Sequence, residues 1–130
     1  MNVPFVKQQY ALKLLRMAVG IIFIAHGAIR TYAGTVGGFG EFLGTKGFPL
    51  GAAIAWSITI FEMFGGSLLA LGKYVSVIGL IFIAHQIMGI ALVHFQNGWF
   101  VVGYSTGGME YSVLLIASLI TIIAKPNLSA

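Results

Sequence analysis

Four apolar stretches, each close to the length of a membrane-spanning helix, constrain this chain more than any motif in it. A helix rises 1.5 Å per residue, so about 20 apolar residues cross the hydrocarbon core of a bilayer. The stretches run from about residue 12 to 33, 50 to 71, 74 to 94 and 109 to 124. The last is short enough to borrow residues from its Gly-rich approach, Thr106-Gly107-Gly108. Only 8% of the 130 residues are charged, against roughly 25% in a soluble domain, and that excludes a soluble globular core. A length of 130 residues leaves room for one domain. The expected fold is therefore all-α, a four-helix transmembrane bundle occupying residues 1–130 as a single unit.

Lys7, Lys13 and Arg16 ahead of Met17 to Ala25 have the outline of a secretory signal. The small-residue cleavage site is missing, however, and His26-Gly27-Ala28-Ile29-Arg30 continues the helical pattern, so the segment reads as a span. Cysteine is absent, which excludes disulfides, thiol exchange and thiolate metal sites; no metal centre is expected, and redox chemistry would need a cofactor.

Seven Lys and Arg against three Asp and Glu give a net charge of +4. There is no basic run and no basic-aromatic interleaving, so nucleic acid is not an expected partner and the charges serve as topology markers. With four spans, Lys7, Lys13, Arg16, Lys73 and Lys125 share one side, while Arg30 and Lys46 fall toward the other. The positive-inside rule then puts both termini in the cytoplasm, with the bacterial cytoplasmic membrane as the expected location. In the first external loop, Val36, Phe39, Phe42, Leu43 and Phe48 fall at helical spacing, which predicts a short interfacial or re-entrant helix. The second external loop carries Trp99, Phe100 and Tyr104, side chains suited to the headgroup level.

Ionisable groups inside a span cost about 2.5 to 3.5 kcal/mol each on insertion scales, so they face the bundle interior and seek partners. On the first helix Arg16, Phe23, His26, Gly27 and Arg30 fall on one stripe. Counting rise from each end puts His26, Glu62 and His85 in adjacent layers near the midplane, which predicts one shared polar cavity. His94 follows His85 by nine residues, on nearly the opposite helix face. The two cannot share one spot unless the helix breaks, and His94 is placed at the external mouth. Glu41 and Glu110 lie at the level of Arg30 and His94, forming an external-end polar cluster in which Arg30 pairs with one of the two carboxylates. The plainer reading of His26 and His85 is an interhelical hydrogen bond that only holds helices together. Gly65-Gly66 and the small-xxx-small pairs Gly51/Ala55 and Gly66/Ala70 are explained by close helix packing.

An ordered set of short motifs accompanies these residues: Leu15-Arg16, Gly20, Phe23 and His26-Gly27 with Arg30; Gly37-Gly38-Phe39, Phe42-Leu43 and Gly47-Phe48-Pro49; Ala55-Trp56. It continues through Glu62, Gly65-Gly66, Leu71-Gly72, His94, Asn97-Gly98, Phe100, Gly108 and Glu110-Tyr111. In this set the chain resembles the DoxX family of small four-helix membrane proteins, over nearly its whole length. The family pattern more often has Lys where this chain has Arg30, which keeps the charge and changes the shape of any anion contact. The resemblance implies an integral four-helix bundle. Family members are linked to quinone-dependent sulfur oxidation, terminal oxidase operons, oxidative-stress complexes and chaperone-like roles, so the family does not fix one activity.

The leading expectation is a redox-associated subunit whose interior binds a quinone. Its chemistry needs an apolar slot, aromatic walls such as Phe23, Trp56 and Phe82, donors for carbonyl oxygens and a carboxylate for protons. His26, Arg30, Glu62 and His85 have those types. The alternatives are a non-enzymatic assembly subunit, associated with other membrane subunits or with itself, and a small proton-coupled transporter with Glu62 as the exchanging carboxylate. Haem ligation by His26 and His85 is the weakest reading, since two intramembrane histidines alone do not specify haem.

Overall fold

A computed structural model of the chain describes residues 5–129, and every regular element among them is helical. The long helices are α1 (Gln8–Tyr32), α3 (Gly51–Ala70) and α4 (Val75–Gly89), with α2 (Val36–Thr45) between the first two. A π-helical turn (Ile90–His94) and a 3-10 turn (Phe95–Asn97) prolong α4. An irregular loop then leads to α5 (Glu110–Ala124) and the terminal turn α6 (Pro126–Ser129), which packs back on α1. Three helical segments, Gln8–Tyr32, Gly51–Ala70 and Val75–Asn97, are long and apolar enough to cross a membrane. The fourth apolar helix, α5, has 15 residues.

It is short because Thr106-Gly107-Gly108 is not part of it. Gly107 sits at φ 71°, and the N–H groups of Gly107, Gly108, Met109 and Glu110 donate to the carbonyls of Val101, Phe100, Gly98 and Trp99. Backbone donors tied to a neighbouring strand of loop are not available to extend a helix. The expected short helix of the first loop is present as α2.

Glycine decides how closely the helices approach. A Cβ at Gly20 would stand 2.6 Å from the Gly66 carbonyl oxygen, and one at Gly66 would stand 2.7 Å from the Gly20 oxygen. Only hydrogen fits there, so α1 and α3 pack backbone to backbone, as small residues allow in lipid. The same device joins α2 to α3, where a Cβ at Gly40 would lie 2.9 Å from the Ala52 Cα. Arg16 is buried and donates from Nη2 to the Ala70 carbonyl at 3.1 Å, satisfying a carbonyl at the C-terminal end of α3.

Two apolar clusters result. Val19, Phe23, Leu69, Phe82, Leu115, Leu119 and Ile122 belong to the larger one, toward the end where α3 finishes and α4 begins. Val36, Leu43 and Ala55, with Phe39, Phe42 and Phe48 against them, form the smaller one beneath α2. The outer faces are also apolar, with Ile21, Phe64, Val77 and Leu114 exposed. Burial on one face and apolar exposure on the other is the distribution a lipid solvent requires.

Candidate functional site

Between the two clusters lies a cavity of about 600 Å³. Phe23, His26 and Arg30 of α1 meet Ile54, Ile58 and Glu62 of α3 across it, and α4 adds Ile81, Ala84, His85 and Met88. Phe39, Phe42 and Leu43 of α2 cover one end. Its floor is the stacked pair Phe23 and Phe82, with ring centroids 3.7 Å apart and planes 9° from parallel.

Glu62 is the deepest charge, 2% exposed. An unpaired carboxylate at such a position carries a large desolvation cost, which a bonded cation offsets. Arg30, near the C-terminal end of α1, supplies that cation. Its Nη1 reaches Glu62 Oε2 at 2.5 Å and also donates to Thr59 Oγ1 at 3.1 Å. The guanidinium carbon sits 4.8 Å from the centroid of the Phe39 ring, a cation-π contact that ties α2 to the same centre. The other carboxylate oxygen, Oε1, faces His85 Nε2 at 3.6 Å, and His85 Nδ1 lies 3.5 Å from Gln86 Nε2. The result is a chain of polar groups, Thr59, Arg30, Glu62 and His85, set into an apolar wall. The Arg30 and His85 side chains keep 20% and 26% of their surface exposed, against 3% for Glu62, so a ligand in the cavity meets donors while the carboxylate stays behind them.

The Arg30 pairing corrects the sequence expectation. Its mate is Glu62 and neither Glu110 nor Glu41. Glu110 instead accepts the Val101 N–H at 3.0 Å, and Glu41 is exposed on α2. His94 Nδ1 donates to the Gly107 carbonyl at 2.8 Å, so His94 and Glu110 engage separate backbone partners and the expected external-end cluster is not a single network. The aromatic walls also differ in part. Phe23 lines the cavity and Phe82 lies beneath it, whereas Trp56 is exposed on the outer face of α3.

His26 lines the cavity as well, but from an exposed position at the edge of the α1 stripe, and its Nδ1 lies 2.8 Å from the Ile22 carbonyl one turn below. His85 and His94 line the same cavity. The break that this requires is the π-helical turn at Ile90–His94. A wider turn rotates less per residue, which brings His94 round toward the face of His85. Thr59 and Ser112 are bonding or wall residues that sequence reasoning passed over, and Phe39, expected there only as part of a short interfacial helix, also contacts Arg30. The only available signal was that Thr59 precedes Glu62 by three residues and so shares its face.

The DoxX family model matches residues 11–95. No curated protein and no solved structure matches the chain. The matched segment runs from the first turn of α1 to Phe95, just past the π-helical turn, and contains Arg30, Glu62 and His85, the residues that build the polar wall. This chain, an integral membrane protein by its long apolar helices, belongs to the DoxX family.

Proposed function

We propose that the cavity binds the ring of a lipophilic quinone and that the protein works as a redox-associated subunit of a larger membrane complex. The observation that supports this is the composition of the cavity: about 600 Å³ of largely apolar, Phe-rich space with Arg30 and His85 presented on one wall. That volume lies within the range of small-molecule sites, and a few convergent polar groups on an apolar lining are their usual form. Arg30 and His85 would donate to carbonyl oxygens, while Glu62 would hold the Arg30 guanidinium in place and exchange a proton with His85. A bound quinone supplies the electron-carrier chemistry.

In this reading α5 is the fourth span. Its 15 residues extend about 22 Å at 1.5 Å per residue, so the loop before it completes the crossing. Both chain termini face the cytoplasm, because that places Lys7, Lys13, Arg16, Lys73 and Lys125 on the positive side.

The test is heat denaturation of the purified protein with and without a naphthoquinone. Ligand at 100 times its dissociation constant should stabilise the wild type by about 2.7 kcal/mol. His85→Phe should lose most of that gain, and Trp56→Phe, on the outer face, should keep it. Equal gains in all three would overturn the assignment.

One observation favours a second reading, a non-enzymatic assembly subunit. The polar contacts of Arg30 described above are all internal and join α1, α2 and α3, as a purely structural tie would. Stable copurification with a larger complex, together with no thermal response to quinone, would select it.

A further inference from the structure

The walls of the cavity are not equally closed. α2 covers one end and the Phe23–Phe82 stack closes the other. Along the side, however, Ile81 and Met88 are 45% and 44% exposed while also lining the cavity, and Ala84 between them is exposed as well. These three residues share one face of α4 at spacings of three and four. Gly79 marks the side of α4 that packs on α5, since a Cβ there would collide with Ile123. At 100° per residue, Ile81, Ala84 and Met88 lie roughly 140 to 200° round the helix from Gly79, on the side turned away from α5. Beside that face, at His85, the neighbour is α3: Glu62 Oε1 lies 3.6 Å from His85 Nε2, and nearer the cavity floor the Phe61 ring of α3 lies 4.9 Å from that of Phe82. Above Glu62, α3 lines the cavity with the half-buried Ile54 and Ile58. The exposed wall residues His26 and Tyr111, on α1 and α5, carry polar atoms that a hydrocarbon chain would leave unpaired.

We infer that the cavity opens sideways into the bilayer between α3 and α4, and that its occupant is an amphiphile with a long hydrocarbon chain. The planar head lies against Arg30 and His85, and the chain leaves past Ile58 and Ala84 into lipid. The opening rests on the exposure and phase of the α4 residues alone, whereas the identity of the head rests on the quinone reading. An all-apolar rim suits a chain, because each CH2 kept out of water there is worth about 0.8 kcal/mol and no polar group is stranded. A ligand resident in the membrane then reaches the polar wall without crossing the aqueous face under α2.

The absence of cysteine makes the opening measurable. Ser112 is buried and lines the cavity, so Ser112→Cys places one thiol inside. In proteoliposomes, bilayer-dissolved N-dodecylmaleimide should alkylate that thiol at least tenfold faster than a charged, membrane-impermeant maleimide added to the water. Adding Ala84→Trp should slow the lipophilic reagent by a similar factor, and Ala84→Leu should slow it less; the milder change guards against a folding defect at Trp. Faster reaction with the impermeant reagent, or no slowing by either change at Ala84, would overturn the lateral opening.

The occupant is tested separately by heat denaturation with one naphthoquinone ring, bare or carrying a long isoprenoid chain. The tailed form should bind at least tenfold more tightly, and Ala84→Trp should remove that advantage while leaving the bare ring's effect in place. Equal binding of the two forms would overturn the chain-bearing occupant. Failure of both rings to bind, with the labelling pattern intact, would overturn the quinone head and leave the opening standing.

Discussion

Replacing Arg30 by Met would leave Glu62 buried beside His85 without its bonded cation. Breaking one side of a buried ion pair costs about 3 to 5 kcal/mol, because the remaining charge stays out of water. Arg30→Met and Glu62→Gln should therefore each destabilise the protein severely in detergent, while the double variant should lose less than the two combined by roughly 0.5 to 3 kcal/mol. Arg30→Met with Glu110→Gln should be additive within about 0.5 kcal/mol, since Glu110 serves the Val101 N–H instead. Unfolding curves of the single and double variants decide it, and coupling of Arg30 to Glu110 would contradict the geometry. The residues of the polar wall were legible in the sequence, because a charge or imidazole far from a helix end stands out by depth alone. The partner of Arg30 was not. Depth gives a level in the membrane, but pairing depends on which helices are neighbours, and that was decided by glycines whose facing residues a single sequence does not mark.

At the scale of the helices, the glycines separate into two kinds with opposite expected effects. Gly66→Ala puts a methyl against the Gly20 carbonyl and should cost about 1 to 3 kcal/mol by forcing α1 from α3. Gly38→Ala, inside α2 with nothing within 4 Å of its Cβ position, should stabilise by roughly 0.5 to 1 kcal/mol through the lower freedom of the unfolded chain. Thermal melts of the two variants are a direct comparison, and loss of stability in Gly38→Ala would show that a neighbour covers that face. The α2 helix itself was legible from its hydrophobic spacing. The π-helical turn was not, since no residue in Ile90–His94 is a helix breaker; an unbroken helix would keep His85 and His94 on opposite faces, and His94 was accordingly put at the external mouth. The start of α5 was legible to within a residue, about 109 against Glu110. An extension through Thr106-Gly107-Gly108 did not form, because the loop had already taken the backbone donors.

Considered as a whole molecule, the chain pairs tightly along α1 and α3 and opens along α3 and α4, with α2 laid across the cavity. The proposed orientation follows from the basic residues. Single cysteines introduced as Lys7→Cys or Asn127→Cys should react with an impermeant maleimide only after cells are opened, and Lys46→Cys or Asn97→Cys should react in intact cells. Labelling of Asn97→Cys from the inner side alone would reverse the assignment of that loop. The all-helical character and the three long apolar helices were legible at once, because apolar length is a direct physical requirement of the bilayer. The cavity and its side opening were not, since they depend on which residues of different helices meet across space, and that leaves no periodic trace in sequence.

The link between Arg30 and Glu62 also has a consequence for biosynthesis. The two residues are 32 positions apart, so the ribosome releases the cation first and its counter-charge only after α2 and half of α3 have been made. Until Glu62 emerges, α1 lacks the carboxylate that compensates Arg30 in the folded protein, so stable insertion of α1 should depend on the chain that follows it.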